Sequence, residues 1–441
     1  MLRADKYSDS PIMTRPLLPS RRAFCATTAA ALLHAPAWLR AQAPGQSSSA
    51  NPQLSPTHPD VAAIDHDRIL ADAEPMLTLP PAPLTAFPCP RSPGTLNDFY
   101  SEPEDYFPDP ASPAAPWKEF STRVRKAAAC TTHRDAVYTF STQVATLTAA
   151  FVLSSDPHYS QKAAEHLRAW FITPATRMTP NLLYGQRIPN MAPGRIEGRF
   201  QGILETVPFA EVAQAIPFLA TSNTLNATEL AAIHAWFAAY LQWLTDSQLG
   251  GLARDQKDHH GSSWLLQCAA YARLNAVGLT SDDATLNLLR HRFHSVTLRA
   301  QIHASGNFPH EVSTPAPYRN SLFNLDMLSA VCDLLSTRFE SAWEYELQDG
   351  PGMRAASAYH FPYIAHRTAW PYPADTSYFT DLPGRRPALL LAGRAFAHAE
   401  YTDLWRALTP TPADAPGEIL RSLPIRQPLL WVTRPKFVAA P

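Results

Sequence analysis

Apolar residues recur at helical spacing over most of the chain. Val137, Phe140, Val144, Leu147 and Phe151 fall three or four apart, which puts them on one face of a helix, and Asp135 stands ahead of them as a cap. Asp156-Pro157 opens a second helix through Ala163, Leu167 and Trp170 to Phe171, since a capping aspartate with proline in the first turn is a favoured start. The same period predicts helices at about 199–217, 226–247, 260–278, 281–303, 320–337, 354–366 and 385–400, divided by Pro, Gly or Asn/Ser clusters. The first run of strand character comes at Leu429-Leu430-Trp431-Val432-Thr433. Successive antiparallel hairpins of this size predict an all-α fold, most economically an α/α toroid. A helical solenoid is the alternative, and no fixed repeat of about 30–45 residues favours it.

The N-terminal region breaks this pattern. Ser20-Arg21-Arg22-Ala23-Phe24 precedes an uncharged run from Cys25 to Leu39, and Ala41-Gln42-Ala43 supplies a small-x-small cleavage pattern. Residues 1–43 therefore read as a Tat-type export signal whose apolar run is too short to span a bilayer. The expected location is periplasmic or secreted. Residues 44–90, rich in Ser, Pro and Ala, read as a flexible arm with one short helix at Ala62–Ala73. Residues 91–441 form the single domain, ending in an irregular C-terminal tail.

Composition narrows the function. With 43 prolines in 441 residues, 46% apolar and 17% charged residues, the chain is not collagen-like, coiled-coil or wholly disordered. Lys+Arg 37 against Asp+Glu 38 leaves a formal charge of −1, so no global basic field is present to hold nucleic acid, and an anionic ligand needs a local cluster. Beyond the leader, Cys89, Cys130, Cys268 and Cys332 show no C-x-x-C pair and no zinc-site spacing. Cys268 and Cys332 lie in apolar helical patterns and read as buried thiols, while an oxidising compartment permits a disulfide. No metal, redox cofactor or phosphate loop is expected, and the pattern carries no signal of oligomeric state.

Three stretches hold polar groups that a helical scaffold does not need. Asn181-Leu182-Leu183-Tyr184-Gly185-Gln186-Arg187 and Gly194-Arg195-Ile196-Glu197-Gly198-Arg199 bring a phenol, an amide and cations to a helix start, which suits a carboxylate ligand. Asp255-Gln256-Lys257-Asp258-His259-His260-Gly261-Ser262-Ser263-Trp264 opens another helix with adjacent histidines that can donate to, or titrate beside, an anionic substrate. Such i, i+1 histidines point apart, and no H-E-x-x-H follows, so they make a poor metal site. Gly306-Asn307-Phe308-Pro309-His310-Glu311 and Thr314 to Asn320 offer Glu311, Tyr318, Arg319 and Asn320 on an irregular segment ahead of the helix of Leu322, Leu325, Leu328 and Val331.

From about Asp98 to Tyr401 the chain resembles the alginate lyase family of polysaccharide lyases, α/α-toroid enzymes that cleave uronate polymers by β-elimination. The resemblance is carried by Asp98-Phe99-Tyr100-Ser101, Tyr106-Phe107-Pro108-Asp109-Pro110, Ala163 to Phe171, Arg177-Met178, Asn181 to Gln186, the Lys257 to Trp264 block, Phe308 to Glu311 and Ser321-Leu322-Phe323-Asn324-Leu325. The family's helix-start block reads like Lys-Asn-Asn-His-Gly. It matches Lys257, His260 and Gly261, and puts Asp258 and His259 where asparagines are expected. The resemblance gives His260 the role of catalytic histidine and His259 that of the asparagine that neutralises the substrate carboxylate. The family's Glu-Leu-x-Arg-Thr, and the tyrosine before Ser-Leu-Phe-Asn-Leu, fall on Thr314 for the arginine and Asn320 for the tyrosine. Tyr318, Arg319 and Tyr184 are the nearest replacements.

β-Elimination needs a clamp on the uronate carboxylate, a base at the C5 proton and an acid at the departing glycosidic oxygen. His259 with Arg319 or Arg199 is the expected clamp, Tyr318 or His260 the base, and Tyr318 the acid. Tyr184, Gln186, Trp264, Glu311 and Asn320 are the expected sugar contacts. The implied partner is an anionic polysaccharide such as alginate or glucuronan. Two other readings stay open: a glycoside hydrolase using Asp258 and Glu311 as its carboxylate pair, and a non-catalytic glycan-binding protein, suggested by Thr314 and Asn320.

Overall fold

The computed structural model describes residues 57–119, 129–191, 197–276, 284–412 and 415–435; the export signal expected at 1–43 lies outside them. The helices are α1 (Val61–Ala73), α2 (Thr132–Ser154), α3 (Pro157–Leu167), α4 (Phe209–Ala220), α5 (Ala227–Asp246), α6 (Gln248–Arg254), α7 (His259–Asn275), α8 (Ala284–Arg292), α9 (Leu298–Gln301), α10 (Pro317–Leu335), α11 (Met353–Ala365), α12 (Pro387–Ala395), α13 (Ala399–Ala407), α14 (Gly417–Arg421) and α15 (Leu429–Val432). Two-residue strands β1 (Tyr106–Phe107) and β2 (Lys118–Glu119) pair antiparallel.

Alternate helices build the inner wall of an α/α toroid. In the order α2, α4, α7, α10, α12 each packs on the next, while α3 covers α2, α5 and α8 cover α7, and α11 and α13 cover α12. The last helix, α15, touches α1, α2 and α4, so the end of the domain returns to its beginning. Inner-wall helices are apolar on several faces because they have neighbours on several faces. Every residue of α10 from Ser321 to Cys332 is buried. Two segments, Thr132–Ser154 and Phe200–Ala220, are long and apolar enough to cross a membrane, yet 72% and 78% of their apolar windows are buried inside the domain, as expected of core helices. Between α2, the turn that follows α3 and α4 an aromatic cluster sets the packing: Phe140 stacks on Trp170 at 4.4 Å, and Phe171 and Phe209 meet Phe140 edge-on at 5.4 and 6.0 Å. Such pairs add about 0.5–1.5 kcal/mol each beyond their buried area.

Several sequence expectations shift. The part of the proposed flexible arm from Thr57 on is ordered: Asp60 caps α1 through the Ala63 N–H at 3.1 Å, and Ile69, Ala73 and Leu84 are fully buried. Proline there fixes φ and shapes the path instead of loosening it. Helix α2 begins three residues before Asp135, which lies in its first turn. The 429–433 run is a short helix, not a strand, because the Glu211 carboxylate accepts the N–H groups of Arg426 and Gln427 at 2.9 and 2.7 Å and turns the chain just ahead of it. A short apolar run has no period of its own to decide between the two. Cys89 and Cys130 form a disulfide, and Cys268 and Cys332 are free and buried.

Candidate active site

A cavity of about 620 Å³ opens at the N-terminal ends of α7 and α10 and is lined by His259, His260, Arg319, Asn320, Arg199 and Gln186. Six of the ten residues singled out from sequence therefore meet in one place.

The two histidines owe their positions to carboxylates. Asp258 caps α7, its Oδ1 accepting from the His260 N–H at 2.9 Å, and the same oxygen lies 3.0 Å from His260 Nδ1. Glu311, fully buried, accepts from the His259 N–H at 2.6 Å with one oxygen and lies 2.8 Å from His259 Nδ1 with the other. Each ring is thus fixed by Nδ1, which leaves both Nε2 atoms for the cavity. The rings lie 4.4 Å apart. Gly261 is required behind them, since a Cβ there would come within 2.3 Å of the Gln256 carbonyl.

The environments split the pair electrostatically. Burial disfavours charge on His259, but the facing Glu311 carboxylate, with Asp258 further off, outweighs burial and the Arg319 cation and raises the ring's pKa above its ordinary 6.5. For His260, burial and the neighbouring His259 charge outweigh Asp258 and lower it. Asp258 is itself held well below the usual carboxylate range: burial pushes it up, and its bonds and charge contacts with the histidines overcome that. One imidazole therefore favours the cation and the other the neutral base.

The remaining lining groups form a braced frame. Arg319 Nη1 donates to Glu418 at 2.8 Å. Arg199 donates to the Gln186 carbonyl at 3.1 Å and to its side-chain oxygen at 3.3 Å. Gln186 stands at φ +54°, a region costly for a non-glycine residue; its N–H donates to Ser101 Oγ at 2.7 Å and its amide to Glu205 at 2.8 Å. The Gln186 and Arg199 segments approach so closely that a Cβ on Gly198 would fall 2.0 Å from the Gly185 carbonyl. Glu205 lies at the cavity wall, and burial raises its pKa despite the nearby Arg134.

Four expected residues are elsewhere. Tyr318 is fully buried: its hydroxyl donates to the Tyr363 carbonyl at 2.9 Å, and its ring meets Trp370 and Phe379 edge-on. The expectation of an irregular segment here fails because Pro317 starts α10 early and Asp375 accepts the N–H groups of Tyr318 and Arg319 at 2.8 and 2.9 Å. Tyr318 then shares the buried stripe of Leu322 and Leu325. Trp264 is buried, its Nε1 donating to the Leu244 carbonyl at 2.8 Å, and Tyr184 bridges to Tyr100 with its ring against Gly94; neither lines the cavity. Glu311 sits behind His259 and cannot reach a sugar. Arg195 of the first polar stretch lies outside the described residues.

The departures at 314 and 320 are coupled. Asn320 Nδ2 donates to Thr314 Oγ1 at 3.1 Å, and Thr314 Oγ1 donates to the Glu311 carbonyl at 2.7 Å. An amide and a hydroxyl thus brace the turn that aims Glu311 at His259. Sequence reading missed Glu205, Arg134, Arg421 and Glu418, which also line the cavity. Glu205 was the most legible, one of two carboxylates in an apolar run. Arg421 and Glu418 lie in the segment read as an irregular tail and only reach the site because the chain end folds back.

Among the described residues, one group, Asp258, His259 and His260, has potential ligand atoms within 4.8 Å of one another. Both Nδ1 atoms are already bonded to carboxylates, so an ion there would be offered chiefly the two Nε2 atoms.

A family model for alginate lyases matches residues 84–370. An alginate lyase structure from Bacteroides ovatus superposes with a TM-score of 0.70 at 25% identity, covering 82% of this chain and 94% of that one. Alginate lyase A1-III from Sphingomonas species A1 shares the fold, with a TM-score of 0.50 at 13% identity over 88% of this chain and 100% of that one. No curated protein sequence matches the chain. The family match, the helical toroid and the histidine-bearing cavity together establish that this chain belongs to the alginate lyase family.

Proposed function

We propose that the protein is a polysaccharide lyase that cleaves a uronate-bearing polymer, alginate, glucuronan or a chain of like chemistry, by β-elimination. The observation that carries this reading is the pair of adjacent imidazoles with opposite electrostatic settings facing one cavity. Protonated His259, with Arg319 beside it, neutralises the uronate carboxylate and acidifies the C5 proton. Neutral His260, its Nδ1 held by Asp258, takes that proton at Nε2. Arg199 and Gln186 hold the sugar. The hydrolase alternative loses support, because Asp258 and Glu311 are both committed to histidines and do not flank a bond. The paired arginines at 21 and 22 and the Cys89–Cys130 disulfide support action after export.

The test is ultraviolet absorbance on a panel of polyuronates incubated with the mature protein. Elimination leaves a conjugated 4,5-unsaturated uronate, so absorbance should rise on at least one polymer. New reducing ends without absorbance would indicate hydrolysis and overturn the reading. Polymer binding with neither signal would favour the glycan-binding alternative.

A further inference from the structure

The proposed elimination lacks a proton donor for the leaving oxygen, since Tyr318 is turned into the core. Resting on that lyase reading, we propose that Tyr106, on β1, is the catalytic acid that protonates the departing glycosidic oxygen.

Among the described residues two phenols line the cavity, Tyr106 and Tyr138. Tyr138 is committed elsewhere: its hydroxyl donates to the Leu204 carbonyl at 3.3 Å, and burial pushes it up to about 12. Tyr106 is half-buried, and its hydroxyl has two long contacts, 3.4 Å to Glu119 on the paired strand and 3.4 Å to Arg199 Nη1. Bonds of that length leave the hydroxyl able to turn toward a better acceptor. The Arg199 guanidinium lies 4.8 Å from the ring centroid. Burial, with the Glu119 and Asp105 carboxylates, keeps the phenol protonated, while the Arg199 cation works the other way, so a phenolate would have a positive charge on one side.

The geometry also relates this acid to the base. Arg199 and Phe200 are consecutive; Tyr106 stacks under the first, and His260 meets the ring of the second edge-on at 5.4 Å. Phenol and imidazole thus both line the cavity, each packed against one of two consecutive residues. Glu205, a carboxyl at the cavity wall whose pKa burial raises, has its two oxygens engaged by Ser101 and Gln186.

The step balances. His260 Nε2 takes the C5 proton, the C5–H electron pair forms the C4=C5 double bond, the C4–O bond breaks with its pair on oxygen, and the Tyr106 phenol delivers its proton there. Proton return from His260 to the phenolate through solvent restores both groups.

Tyr106→Phe is assayed on the cleaved polymer and on a 4-deoxy-4-fluoro uronoside of the same sugar, whose fluoride leaves without protonation. The expected result is a fall in kcat on the polymer of roughly 10²–10⁴-fold with KM within about threefold, while fluoride release stays near wild type. His260→Ala should lose both reactions. Polymer turnover within tenfold of wild type, a loss confined to KM, or an equal loss of fluoride release would overturn the assignment. A wild-type protein that forms no unsaturated product from any polyuronate would instead overturn the underlying lyase reading. A thermal midpoint close to wild type in Tyr106→Phe separates chemistry from misfolding.

Discussion

The starts of α7 and α10 are built alike and do opposite things. At each helix N-terminus a carboxylate from a distant loop accepts a first-turn backbone N–H: Glu311 reaches the His259 N–H from 52 residues away, and Asp375 reaches the Tyr318 N–H from 57. At α7 the carboxylate also binds the side chain of the residue whose N–H it accepts, so the imidazole is fixed at the cavity and its cation is favoured. At α10 the carboxylate binds backbone N–H groups alone, and the helical rotation of about 100° per residue sets where each successive side chain points. Tyr318 turns inward, and Arg319 and Asn320 turn out. A functional residue type at a helix start is thus not enough; the face it occupies and the partner it meets settle its role.

The largest test of that contrast is a pair of variants. His260→Ala should lower kcat on the cleaved polyuronate by roughly 10²–10⁴-fold, the usual worth of a general base. Tyr318→Phe should leave kcat within about threefold and lower unfolding stability by about 1 kcal/mol, the worth of its bond to the Tyr363 carbonyl. Initial rates by absorbance and thermal denaturation read the two. Equal losses in both variants would erase the distinction drawn between the two helix starts.

A second, smaller effect is in the pH profile. His260 has a lowered pKa, so its base form fills as pH rises toward 6.5, giving a rising acid limb below that value. His259 has a raised pKa, so its cation persists above 6.5 and is lost as pH climbs further, giving a falling alkaline limb. The stability carried by the His259–Glu311 pair has the same sign: it is fully present below 6.5 and lost as pH rises through the raised folded-state value. Glu311→Gln removes the cause of the raised value and should move the alkaline limb to lower pH, costing about tenfold in rate there for each unit moved. An alkaline limb that stays in place would show that His259 is not the group titrating.

The smallest effect concerns Thr314 and Asn320, which brace the Glu311 turn without touching its carboxylate. Asn320→Ala should cost about 0.5–1.5 kcal/mol in unfolding stability, one hydrogen bond's worth, with activity within about tenfold of wild type. Thr314→Val should do the same, and the double variant should cost less than the sum because the two share a bond. Full additivity in chemical denaturation would separate the pair.

Helix positions were legible because the signal is local. The 3.6-residue period and the Asp156-Pro157 start are carried by neighbouring residues, and they locate most of the inner and outer wall. The histidine block was legible for the same reason, as adjacent polar residues at the head of an apolar helix. What escaped depends on long-range partners. The extra turn of α10 needs Asp375, the helical turn at 429–432 needs Glu211, and the raised pKa of His259 needs Glu311. Glu418 and Arg421 reach the cavity through closure of the ring by the chain end.

The amino-acid sequence by itself determined the alternation of apolar faces, and with it the helices, their order and the all-α toroid, because burying one face of each helix leaves few ways to stack hairpins in a ring. Only the tertiary structure decided which imidazole favours the cation, which phenols line the cavity and which carboxylates are already spent on partners. Those outcomes depend on burial and on groups dozens of residues apart, and only packing sets either.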